Sequence, residues 1–146
     1  MNKKISYTLF VLFLSSVLFI SCNNNDKTGS ETATGIAKYA GTWIVNITDP
    51  ADSGMDGAKL IINNDGSITD NDGYKIPSSQ ITADSESSYT VYQEINDTDG
   101  TTAKATMNIK FTSTTSANID ITEVTTSPNA SEESAIYKGT LTKQQS

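Results

Sequence analysis

The 146-residue chain sets ten lysines, no arginine and no histidine against seventeen acidic residues, a formal charge of −7, and carries one cysteine. Without histidine, Ser-His-Asp and Cys-His nucleophile arrangements and His-ligated zinc or iron sites are excluded. The acid excess opposes nucleic acid, whose phosphates are neutralised by Lys and Arg, and a single cysteine cannot build a disulfide framework within the chain.

In chain order, Lys3 and Lys4 come first, then an apolar stretch from Ile5 to Ile20, then small Ser21 directly before Cys22. A charged n-region, an h-region and a processing point make a secretion signal. The stretch is shorter than the roughly 18 apolar residues a spanning helix needs, and Tyr7, Thr8, Ser15 and Ser16 interrupt it. Bulky Phe19 stands where ordinary signal cleavage wants a small side chain. The tetrapeptide Phe19-Ile20-Ser21-Cys22 resembles a relaxed form of the lipobox of bacterial lipoproteins, with Phe19 in place of the usual Leu. That resemblance implies a signal peptide over 1–21, acylation of Cys22 with diacylglyceryl and a fatty acyl (palmitate-type) chain, and the membrane of a bacterial cell envelope as partner. Asn23 after the cysteine favours the outer membrane and leaves open whether the periplasmic or the surface face. The processed chain would keep eight lysines against all seventeen acids and no free thiol.

From Cys22 to Ala37 the residues are mostly Asn, Asp, Thr, Gly and Ser, too polar to offset the entropy of ordering. Segment 22–37 is read as a flexible tether and 38–146 as one domain.

Beyond the tether, apolar residues alternate with polar ones, the mark of half-buried strands. Ala103, Ala105, Met107, Ile109 and Phe111 share one face; Trp43, Val45 and Ile47, then Tyr89, Val91 and Ile95, then Ala117, Ile119 and Ile121 repeat the pattern. Asn64-Asp65-Gly66, Asp72-Gly73 and Asp99-Gly100 supply residues that tolerate positive φ in hairpin turns. Strands are expected at 41–48, 58–63, 67–70, 73–76, 79–84, 88–96, 102–113, 116–125 and 134–143, with no helix after the signal and consecutive strands paired as a meander. The expected class is all-β, a small antiparallel eight-stranded up-and-down barrel, with a β-sandwich as the alternative.

Gly41-Thr42-Trp43 resembles the Gly-x-Trp hallmark that opens lipocalins and shorter lipocalin-like bacterial domains, and Tyr137-Lys138-Gly139-Thr140-Leu141 echoes Tyr39-Ala40-Gly41-Thr42-Trp43. The resemblance implies a barrel closed between its first and last strands, with the Trp at one end and a small apolar or amphipathic molecule inside. Lipocalins set an Arg across the Trp face; with no arginine here, Lys138 or Lys143 is the stand-in. The ligand-lining set expected on that basis is Trp43, Tyr89, Val91, Met107, Phe111, Ile119 and Tyr137.

No catalytic residue, metal site or cofactor is expected. Asp70-Asn71-Asp72-Gly73 and Asp97-Thr98-Asp99-Gly100 resemble fragments of a calcium loop, but Ile68 and Ile95 stand where an earlier acidic ligand is required. Two functions compete for a monomeric, non-enzymatic lipoprotein: binding a small hydrophobic ligand within the barrel, or acting through a solid barrel's exterior as a structural, surface-antigen or inhibitor-like protein.

Overall fold

The computed structural model describes residues 34–145 apart from 52, 99 and 129, so the signal peptide, Cys22 and most of the tether lie outside the described residues. Nine strands form one antiparallel sheet: β1 (Gly41–Asp49), β2 (Lys59–Ile62), β3 (Ile68–Asp70), β4 (Lys75–Ile76), β5 (Ile81–Ala83), β6 (Ser88–Asn96), β7 (Thr102–Phe111), β8 (Ser116–Thr126) and β9 (Glu133–Lys143). Each begins and ends within three residues of an expected strand.

The sheet order is β4-β3-β2-β1-β9-β8-β7-β6-β5, so every pair is sequential except β1 with β9. Pairing of Trp43 with Lys143, Ile44 with Thr142 and Val45 with Leu141 curls the meander into a nearly closed up-and-down barrel. The strand number is nine rather than eight. β4 and β5 do not pair: Pro77, which cannot donate a ladder hydrogen bond, and a 3₁₀ turn at Ser78–Gln80 separate them. The two free edges are therefore two and three residues long, short enough to offer little template for edge pairing.

Period two decides what fills the interior. Inward positions on the long strands supply Val45, Ile47, Val91, Ile109, Ile119 and Leu141, all nearly or fully buried. One end is plugged. A 3₁₀ turn, Gly35–Tyr39, packs Ile36, Ala37 and Tyr39 beneath the barrel, so the packed unit takes in residues assigned above to the tether. Tyr39 stacks on Phe111 with ring centroids 3.6 Å apart, and Trp43 and Tyr89 meet Phe111 edge-on at 5.2 and 5.9 Å. Fully buried Trp43 donates its indole N–H to the Tyr39 carbonyl at 2.9 Å.

Lys143, not Lys138, takes the place across the Trp: its Nζ lies 5.8 Å from the Trp43 ring centroid. Gly41 makes this possible, because a Cβ there would run into the Lys143 side chain and its φ of +137° is one that other residues rarely adopt. Both described ends of the chain, Thr34 beside the plug and Gln145 just past β9, lie at this plugged end. The opposite end carries the connection from β1 to β2, the β3–β4 and β6–β7 turns, and the β8–β9 loop.

Candidate functional site

The open half of the barrel holds the polar exceptions to an apolar core. In β6 the inward residue after Val91 is Gln93; in β8 the inward residue after Ile121 is Glu123. Both are buried, at 5% and 9% exposure. Register sets them on one level, since Gln93 pairs with Ala105 and Ala105 with Glu123. Their strands are two ladder steps, about 10 Å, apart, and the methyl of Ala105 between them leaves the space over β7 open.

Below that level Val91, Met107 and Ile121 form a wholly apolar row. Leu60, Ile76 and Asp70 complete the far wall, and Met55, from the β1–β2 connection, covers the cavity with 7% of its surface exposed. That connection is held down where the Ile47 backbone N–H donates to Asp56 Oδ1 at 2.6 Å and the Gly57 N–H donates to the Val45 carbonyl at 2.9 Å.

The cavity, partly open to solvent, measures about 60 Å³, room for a few water molecules. Pockets for drug-sized ligands run to about 300–1,000 Å³. A whole amphiphile does not fit; a group of two or three heavy atoms does.

The electrostatics are uncompensated. The Gln93 side-chain N–H₂ has no hydrogen-bond partner among the described residues, an omission that costs about 1–3 kcal/mol in a buried site. Burial alone, with no hydrogen bond or cation to oppose it, pushes the Glu123 carboxyl up to about 7. Asp70, the other acid on the cavity wall, spends one carboxylate oxygen on the backbone N–H groups of Asp72 and Tyr74, at 2.9 and 2.8 Å. The Asp70-Asn71-Asp72-Gly73 segment is thus a side-chain-braced hairpin turn. Among the described residues no group of three or more acids, histidines or cysteines is placed to hold a metal ion.

Of the seven side chains expected to line a ligand cavity, the structure brings Val91 and Met107 to this one. Trp43, Tyr89 and Phe111 belong to the aromatic plug, and Ile119 and Tyr137 pack in the surrounding core. Gln93 and Glu123 fall outside the expected set, which is drawn from apolar and aromatic side chains. Their phase was nonetheless visible: Gln93 lies between Val91 and Ile95, and Glu123 two residues beyond Ile121.

A second concavity, a surface groove of about 480 Å³, runs beside β5 at the plugged end between Ile36, Gly66, Ser78 and Tyr89. Thr34, where the described chain begins, forms part of its wall. No protein-family model, curated protein or solved structure matches this chain.

Proposed function

We propose that the chain is a bacterial envelope lipoprotein, acylated at Cys22, whose lipocalin-like barrel binds one end of a small amphipathic molecule in its open half. Burying an unpaired amide and a carboxyl that burial keeps protonated weakens a fold, and groups of this kind concentrate where something must be bound. Gln93 and Glu123 in an otherwise apolar lumen are the observation that carries this reading. The limited volume restricts what is engulfed to a terminal group, with the remainder of the molecule in the mouth.

Support for the lipocalin-like reading comes from the β1–β9 closure and from Lys143 over Trp43 beside Gly41. Eleven residues lie between Cys22 and Thr34, a reach of at most about 40 Å, and the described chain begins at the plugged end, so an anchor at Cys22 would leave the open end unobstructed.

A second reading, a solid barrel acting through its outer surface, is favoured by the same small volume and by Tyr92 and Ile136, the most exposed large hydrophobics among the described residues. They end one register row, Tyr92-Thr106-Thr122-Ile136, on the outer face. Methyl and side-chain amide NMR of the full chain during titration with six-carbon amphiphiles separates the two. Saturable shifts at Met55, Met107 and Gln93 are expected; shifts confined to Ile136 and the ring of Tyr92 would favour the outer surface.

A further inference from the structure

We infer that the open end of the barrel is a receptor for an ammonium group, with Glu123 as its buried counter-charge and Gln93 as the donor that holds the carboxylate in place. This rests on the lumen-binding reading above and adds the chemistry of the group bound.

The first observation is what the cavity lacks. Its wall presents Glu123 from β8, Asp70 from β3 and the amide of Gln93 from β6, with Met55 from the β1–β2 connection above them, and no cation. On the neighbouring strands Lys104 and Lys110 of β7 and Lys138 of β9 stand exposed on the outer face of the barrel, and Lys143 of β9 lies over Trp43. An ammonium is the group whose donors match two carboxyls and whose charge the cavity does not already hold. The unspent N–H of Gln93, across the Ala105 gap, is then available to the carboxylate oxygen that the ammonium leaves unpaired.

The second observation lies outside the cavity. The connections that ring the open end, 49–58, 71–74, 97–101 and 127–132, contain no lysine in their sequence. Asp49, Asp56, Asp72, Asp97, Glu132 and Glu133 are exposed around the same mouth. The lysines of the plugged half include Lys38, Lys75 and Lys143, each paired with or lying over a neighbour: Lys75 with Asp65 at 2.7 Å, Lys38 over Tyr39 and Lys143 over Trp43. Lys138 lies in register with Asp49 and Lys104 with Glu94 on the outer face, but the connections of this end add only acids, so its mouth carries a net negative charge that raises the local concentration of cations and steers them inward. An acidic rim alone would mean only solubility. An acidic rim around a buried carboxyl and the unpartnered Gln93 amide is a funnel with a seat.

The cavity size sets the seat at an ammonium with its adjoining methylene, which belongs equally to a small alkylamine and to a lysine side chain. In the apo state Glu123 is protonated over much of the neutral range, so seating a cation expels that proton into solvent, and binding tightens as pH rises. Ionised Glu123 grows from roughly a tenth to roughly nine-tenths of molecules between pH 6 and 8 for a carboxyl titrating near 7. Apparent affinity follows the competent fraction, close to a tenfold gain.

The experiment uses the full chain in detergent, with hexylamine, hexanol, hexanoate, trilysine and calcium chloride as separate probes, read by the Met55 and Met107 methyls, the Gln93 amide and calorimetry. Hexylamine or trilysine is expected to bind at least tenfold more tightly than hexanol, with the pH dependence above, and to lose at least tenfold on Glu123→Gln in a protein that still melts cooperatively. Tighter binding of hexylamine assigns a small-molecule source, and tighter, salt-sensitive binding of trilysine assigns a basic polypeptide. Equal binding of hexanol, an unchanged Glu123→Gln, or a response to calcium alone would overturn the ammonium assignment while leaving a lumen site. No response of these probes to any ligand would overturn the lumen reading with it.

Discussion

Glu123 is the residue at which sequence pattern, packing and electrostatics disagree most. The β8 pattern carries its side chain inward, the barrel then removes it from water, and its carboxyl is held up near 7 as a result. A carboxyl raised from 4.5 to about 7 in the folded state binds a proton that the unfolded chain has already released. Stability is therefore greatest below about pH 4.5 as far as this group is concerned, and falls as pH rises through 7, by up to about 3 kcal/mol at 1.36 kcal/mol per unit. Replacing Glu123 by Gln should leave stability near pH 5 almost unchanged and raise it by up to about 3 kcal/mol at pH 8, measured by urea denaturation at the two pH values. Asp65 works in the opposite sense. Hydrogen bonds from Lys75 and Ser67 hold its carboxyl down at about 2, so its stabilising contribution is present above pH 4 and is lost as pH falls toward 2. Both partners of the Lys75 pair are more than half exposed, so Asp65→Asn should lower stability at pH 7 by less than about 1 kcal/mol.

At the level of elements, closure depends on how closely β9 approaches β1. Gly139 pairs with Ile47, and a Cβ on it would strike the Asn46 carbonyl oxygen and the Ile47 Cα, backbone atoms that cannot swing away. Gly139→Ala should cost about 1–3 kcal/mol or more, seen as a lower thermal midpoint with the slowest amide exchange of β1 and β9 accelerated. The strands themselves were legible because alternation is a local property: Trp43-Val45-Ile47 and Ala103 to Phe111 need no knowledge of their neighbours. The β1–β9 closure was legible from the echo between Tyr39-Ala40-Gly41-Thr42-Trp43 and Tyr137-Lys138-Gly139-Thr140-Leu141. What escaped was long-range or contrary to composition. The missing β4–β5 pair depends on how far the sheet must curl before its ends meet. The buried 3₁₀ turn seats Tyr39 on Phe111, over seventy residues away in sequence. Gln93 and Glu123 were hidden by being polar, although their positions in the alternation were as clear as those of Val91 and Ile121.

For the molecule as a whole, the two ends of the barrel are different in kind. One is plugged by stacked aromatics and receives both described chain ends; the other is acidic, free of lysine in its connections and backed by a cavity holding a polar pair. The proposed anchor at Cys22 would join the barrel at its plugged end and leave the open end free of the attachment. Cells given labelled palmitate should incorporate it into the wild-type chain, whereas Cys22→Ala should stay unlabelled and leave the membrane fraction; equal labelling of both would remove the anchor from the account. Salt should weaken association of a basic ligand at the open end, since the exposed rim is screened over about 8–10 Å at physiological ionic strength.

The central claim is that the lumen holds an uncompensated carboxyl at its open end. It is tested most directly by following the side-chain carboxyl carbon of Glu123 by NMR as the folded chain is titrated from pH 4 to pH 9. A midpoint near 7 that falls when hexylamine is added is the expected result. A midpoint near 4.5, unmoved by the amine, would show that Glu123 is solvated or already paired, and would contradict both the site and the function built on it.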